Sequence, residues 1–193
     1  MTQLNRFFAL LVLFFLFGCT NTPFNKEAIK LNNEGTKLFM SDPDSAILLF
    51  DKAISLDSTY ELPIQNKANV YIHQKKYPQA LLTIELLLAK HQYPEAYEMK
   101  GMLLEYLKEI DKANEAYKDA LKIREEKIKN TPQQKLASEN YALGFTYILL
   151  GDTTLGKELI NENATAAKTI PALKDSLLKN MAERQKMLEM LLK

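Results

Sequence analysis

"AILLFDKA" at residues 46–53 and "ANEAYKDA" at residues 113–120 share one arrangement. Each has a small residue, an aromatic four positions later and an alanine three beyond that: Ala46, Phe50 and Ala53, then Ala113, Tyr117 and Ala120. Between them "ALLTIELL", 80–87, keeps the spacing with Ala80, Ile84 and Leu87, and Gly156, Ile160 and Asn163 make a weaker fourth copy. The first positions lie 34, 33 and 43 residues apart. Upstream of each copy a small residue precedes an apolar one by three: Gly35 and Leu38, Ala68 and Tyr71, Gly101 and Leu104, Gly144 and Tyr147. Steps of three and four put side chains on one helix face. A recurrence of this length marks stacked units, none of which can bury its apolar face alone. The small residues mark places where two helices approach too closely for a larger side chain, and the bulky neighbour fills the groove beside each contact.

Proline placement gives the same partition. Pro43, Pro63, Pro78, Pro94, Pro132 and Pro171 all fit the first turn of a helix, where a missing N–H costs little. Asp42 and Thr131 stand ready to cap, and Gly151-Asp152 supplies a left-handed stop followed by a new cap. Helices are therefore expected over 26–40, 43–56, 60–74, 78–91, 94–108, 111–129, 132–150, 153–168 and 172–192. No segment shows sustained strand alternation between hairpin turns. The fold class is all-α.

These copies resemble the tetratricopeptide repeat, a 34-residue helix–turn–helix unit. The resemblance covers about 28–168 and implies an α-solenoid of about four hairpins, 28–59, 60–93, 94–130 and 132–168, within a repeat region of 26–168. The extra residues of the last interval fall in "KIREEKIKNTPQQK", 122–135, and are expected to lengthen two adjacent helices. Segment 171–193 carries Leu173, Leu177, Met181, Leu188 and Leu192 along one stripe and suits a cap on the open end of the stack. A membrane-surface role for it is the weaker alternative, because its polar face mixes charges. In this family the first helix of each hairpin lines a concave groove that holds an extended peptide or a partner's helix. Transferred to this chain, the groove would present Asn32, Asn33 and Thr36, then Gln65, Asn66, Asn69 and His73. Further along come Glu98, Met99, Met102 and Tyr106, and finally Tyr141 and Phe145. Amides suit this task because each can donate to and accept from a peptide backbone. Methionine and aromatic side chains add adaptable apolar contact. The lysine- and arginine-based clamp on carboxylate tails found in some members is not expected, since Glu95 and Met99 stand at the corresponding positions.

The amino terminus supplies an address. Arg6 precedes an unbroken apolar run, Phe7 to Phe17, too short for a membrane crossing that needs roughly 20 residues. A basic start, such a run and a small residue form an export signal. Its end, Leu16-Phe17-Gly18-Cys19, resembles the lipobox of bacterial lipoproteins. That resemblance implies a signal peptide over 1–18, cleavage between Gly18 and Cys19, and acyl chains such as palmitate on Cys19. One chain binds membranes only marginally, whereas two or more hold firmly. An uncut anchor with an incidental cysteine is the alternative. The polar tether of 19–25 would keep the folded part near the bilayer. Thr20 is not the aspartate that marks inner-membrane retention in this class, and no acidic run follows, so the expectation is a cell-envelope protein in the outer membrane, facing the periplasm.

Composition narrows the function. The chain has 193 residues, a quarter of them charged, and a formal net charge of +1. Without the first 18 it balances 24 basic against 24 acidic side chains, which leaves no basic stripe for neutralising phosphates. A nucleic-acid partner is not expected. The one cysteine excludes an intrachain disulfide and a thiolate cluster. His73 and His91 show no ligand or catalytic spacing, so neither a metal nor a cofactor is expected. Glu98 and Glu105 share a helix face and are the best candidates for a cell-wall hydrolase, a minor alternative. The preferred expectation is no enzyme but a membrane-anchored scaffold for a protein or peptide partner. A self-associating structural protein, with a second copy as its partner, is the other alternative.

Overall fold

Asn25 shows how the folded part begins: its side chain accepts from the Glu27 and Ala28 amides and caps the first helix. The computed structural model describes residues 24–164. Among them eight helices follow one another: α1 (Lys26–Leu38), α2 (Pro43–Leu56), α3 (Leu62–His73), α4 (Tyr77–Leu88), α5 (Pro94–Tyr106), α6 (Ile110–Lys129), α7 (Gln133–Leu149) and α8 (Thr153–Asn163). Each odd-numbered helix packs on the next as a hairpin, and each hairpin packs on its successor. This is the expected all-α stack of four helix–turn–helix units.

The small residues sit where two helices nearly touch. A Cβ added at Gly35 would lie 2.7 Å from the Phe50 ring, and one at Gly101 would lie 2.2 Å from the Tyr117 ring. In the fourth unit both partners are glycine: a Cβ on Gly144 would meet the Gly156 carbonyl at 2.8 Å. Ala46, Ala53, Ala80, Ala113 and Ala120 are buried together with the Phe50, Ile84 and Tyr117 side chains they accompany. The largest core runs from Ile64 on α3 through Leu103 on α5 to Ile148 and Ile160, so the last three units share one interior.

The turn inside each hairpin repeats too. Lys75, Lys108 and Gly151 take positive φ (58°, 69° and 95°), one in each of the last three hairpins. Asp42 accepts from the Ser45 amide and Asp152 from the Leu155 amide, as their positions implied. Thr131 differs from expectation. Pro132 is extended (φ −58°, ψ 145°) and itself precedes α7, while the Thr131 hydroxyl donates back to the Lys127 carbonyl and closes α6. The added residues lengthen α6 and α7, as anticipated. The signal segment 1–18, Cys19 with most of the tether, the expected end of the last repeat at 165–168 and the capping segment 171–193 lie outside the described residues.

Candidate functional site

One register position recurs through the first helices, and its occupants in the first three hairpins have three different fates. Asn32 on α1, Gln65 on α3 and Glu98 on α5 each stand three residues before the small residue of the close contact. Asn32 is buried, 1% exposed, and its Oδ1 accepts from Asn66 Nδ2 at 2.8 Å. Asn66 also reaches the Thr36 hydroxyl at 3.4 Å, so an amide bridge joins the first hairpin to the second. Glu98 is likewise buried, and accepts from Arg124 Nε at 2.7 Å and Nη2 at 2.9 Å. The Thr146 hydroxyl donates to the same carboxylate, which ties α5, α6 and α7 together. Glu95 adds a contact to Arg124 Nη2 at 3.2 Å. Desolvation pulls the Arg124 guanidinium down, but the hydrogen bonds and charge of Glu98, then Glu95 and Glu139, outweigh it and hold its pKa above the ordinary value.

Gln65 has neither kind of neighbour. Where α3 offers Asn66 to Asn32, α5 offers Met99 to Gln65, and a thioether is a poor partner for an amide. The side chains do not close, and a concave pocket of about 360 Å³ remains between α3, α4 and α5. Ile64, Ile84, Leu87, Ala96 and Met99 give it an apolar lining, with Gln65 and Asn69 on its α3 side and Glu95 at the α5 end. Glu95 is the one charged residue among the lining residues. A cleft of this size with few polar groups is suited to one or two apolar side chains of an extended ligand.

The structure thus gathers Gln65, Asn69 and Met99 around one pocket. Asn33 and His73 are exposed on the same helices as the others but outside it, and the His73 ring leans on Phe39 with centroids 5.5 Å apart. Tyr106 packs on Tyr77 at 4.5 Å, and Tyr141 and Phe145 are half-buried against the shared core. The groove assignments of Asn32, Asn66, Glu98 and Met102 need correction, Asn66 because its amide is spent on the bridge to Asn32 and Thr36. Asn32 and Glu98 do not face the groove, because each is buried in a junction between hairpins. Met102 is 4% exposed: it lies one residue past Gly101, about 100° round the helix, which turns it into the core. The Glu98–Glu105 acid pair also dissolves, since Glu98 is held by Arg124 and Glu105 accepts from the Tyr117 hydroxyl at 2.9 Å. Sequence reasoning missed Arg124, Thr146, Ile84 and Leu87. Arg124 alone could have been suspected, as an arginine on the otherwise apolar seam that continues Ala113, Tyr117 and Ala120.

A second concavity adjoins the first through Gln65 and Tyr93, at the turns between hairpins. Glu61 holds it together, accepting from the Tyr93 hydroxyl at 2.6 Å and pairing with His91 Nε2 at 2.5 Å. The bond to Glu61, then desolvation and the Glu61 charge, raise the Tyr93 pKa.

Among known proteins, residues 61–140 match the family model of the tetratricopeptide repeat-like domain. That match spans the pocket. Thirteen solved chains match. One is the first TPR of Spaghetti (RPAP3) bound to the HSP90 peptide SRMEEVD, with 19% identity and a TM-score of 0.46 over 74% of this chain and 94% of that one. No curated protein sequence matches the chain.

Proposed function

We propose that this chain is a lipid-anchored scaffold of the cell envelope that holds a protein or peptide partner in the pocket between α3, α4 and α5. The observation that carries the reading is the interruption of the amide bridge at Gln65 and Met99. It leaves a hydrogen-bonding edge (Gln65, Asn69) beside an apolar floor (Ile64, Ile84, Leu87), the two features an extended segment needs. Acyl chains on Cys19 would anchor the molecule; among the described residues no helix is long and apolar enough to cross a membrane. The absence of a lysine or arginine from the lining argues for an internal segment of the partner in place of a carboxylate tail. The outer membrane, facing the periplasm, is the proposed address.

A photo-crosslinking residue placed at Asn69 or Met99 in intact cells tests the reading, with the same residue at the exposed Leu82 on α4 as control. The same protein captured from both pocket positions, and not from Leu82, supports it. Capture independent of position, or none, sinks it.

A further inference from the structure

The folded part does not hang loosely from its tether. The Phe24 ring packs on Tyr60 with centroids 4.8 Å apart, and the Asn25 amide donates to Asp57 Oδ2 at 2.8 Å. Both partners belong to the turn between α2 and α3. That turn is tied to the turn between α4 and α5, where Lys90 Nζ donates to the Ser58 carbonyl at 2.7 Å and Tyr93 and His91 meet Glu61. The chain entry and two inter-hairpin turns thus form one edge. Its concavity of about 900 Å³ is lined by Phe24, Tyr60, Leu62, Lys90, His91 and Tyr93 among others.

This edge keeps apolar rings and a leucine in the open: Phe24 is 45%, Leu62 43% and Tyr93 37% exposed. The turns within hairpins, at the other ends of the helices, carry Lys75, Lys76, Lys108, Glu109 and Asp152, and their large exposed apolar side chains, Met40 and Ile110, include no aromatic ring. Rings with a polar tip and a lysine beside them are the side chains that settle at a bilayer's headgroup level. Five residue steps separate Cys19 from Phe24, so an anchor at Cys19 lies at most about 18 Å from this edge.

Resting on the lipid-anchor reading of Cys19, we infer that the edge built from Phe24, Leu62, Lys90 and Tyr93 lies against the phospholipid surface. The Phe24–Tyr60 and Asn25–Asp57 contacts transmit the direction of the anchor to the first two hairpins. The stack then stands with its inter-hairpin turns toward the bilayer and its intra-hairpin turns away. The pocket at Gln65 opens sideways, just above the headgroups, because Gln65 and Tyr93 line both concavities.

The test uses the full acylated chain in vesicles of phosphatidylethanolamine and phosphatidylglycerol, with a fluorophore on Ser58→Cys or, at the opposite edge, on Ser41→Cys. Doxyl-labelled phospholipids should quench the Ser58 label severalfold more than the Ser41 label. Phe24→Ser with Leu62→Ser should erase that difference while membrane attachment persists. Equal quenching of the two labels in the unsubstituted background overturns the orientation and leaves the edge open to a protein; an undiminished difference in the double variant overturns the contact of Phe24 and Leu62 with the lipid. Intact-mass measurement of the same preparations separates the two layers of argument. A chain without acyl mass on Cys19 removes the anchor reading and this inference with it, whereas acylated protein with equal quenching removes the orientation alone.

Discussion

The first junction between hairpins and the last solve one packing problem with opposite chemistry. Asn32 and Asn66 close the first with a neutral amide bond, while in the last Thr146 donates across to Glu98, a carboxylate held in a buried ion pair by Arg124 of its own hairpin. Between them, Gln65 faces Met99 and nothing closes. A register position in a repeat array therefore has no fixed role: what the neighbouring unit presents decides whether it becomes glue or a binding edge. The ion pair stands where α6 and α7 outgrow the regular unit, and there longer helices bring charged side chains into the seam.

The charged junction should be the costlier to break. Arg124→Ala leaves the Glu98 carboxylate buried beside Thr146 without its cation, and such losses cost about 3–5 kcal/mol. Urea unfolding should show a fall in unfolding free energy of that order. Arg124→Met combined with Glu98→Leu removes both charges and should recover most of it. If the single and double variants are equally destabilised, the pair does not behave as a buried salt bridge.

Removing one partner from the neutral junction should cost less. Asn66→Ala strands the buried Asn32 Oδ1, a loss of about 1–3 kcal/mol. Asn66→Met imports the Met99 arrangement into the first junction; with Asn32→Gln it should open a second cleft there, visible as binding of a small apolar dye absent from the unsubstituted protein. No new dye binding would mean that the interruption at Gln65 does not by itself make the pocket. Close-packed glycines fall in the same range: Gly101→Ala must displace the Tyr117 ring and should cost about 1–3 kcal/mol, with Gly35→Ala cheaper because its clearance is larger.

The pocket itself lies lower on this scale. Asn69 is exposed, so Asn69→Ala should change stability by no more than about 0.5 kcal/mol while weakening partner capture. Unchanged capture with Asn69→Ala, in cells where Met99 still crosslinks, would move the binding edge to Gln65 alone. Asn66 cannot serve in this test, because its amide is structural.

The architecture was legible because its constraints act over short stretches. Gly35, Gly101 and the alanine–aromatic triplets record helix contacts within one hairpin, and Pro43, Asp42 and Gly151 record helix ends through their own backbone requirements. The site was legible only in part. Gln65, Asn69 and Met99 could be placed on the inner helices from register. That Asn32 and Glu98 share the register but not the exposure depends on Asn66, Arg124 and Thr146, which lie 34, 26 and 48 residues away. A single sequence carries no signal for pairings at that separation. The floor of the pocket was missed for a related reason: Ile84 and Leu87 had already been explained as core.

The smallest expected effect distinguishes the two ends of the stack by acid. Asp57 accepts from the Asn25 amide, from the Thr59 amide at 3.0 Å and from the Thr59 hydroxyl at 2.6 Å. The Thr59 hydroxyl first, then the Asn25 amide, hold its pKa below the ordinary carboxylate value. Asp42, bonded to Ser45, is lowered as well. A carboxylate depressed on folding contributes stability that is present above its unfolded pKa and is lost as pH falls through the lower folded value. Acidification should therefore loosen the entry clamp and the α2 cap, whereas Arg124, its pKa raised, stays charged throughout. Asp42 is exposed and Asp57 only half-buried, so the signature is local and global unfolding should not accompany it. The Asn25 and Thr59 amide proton shifts should titrate together, with a midpoint below that of an unstructured aspartate, and Asp57→Asn should abolish the transition at Asn25. A midpoint at or above the unstructured value would show that Asp57 does not hold the chain entry, and the route by which an anchor could orient the hairpins would then be missing its first contact.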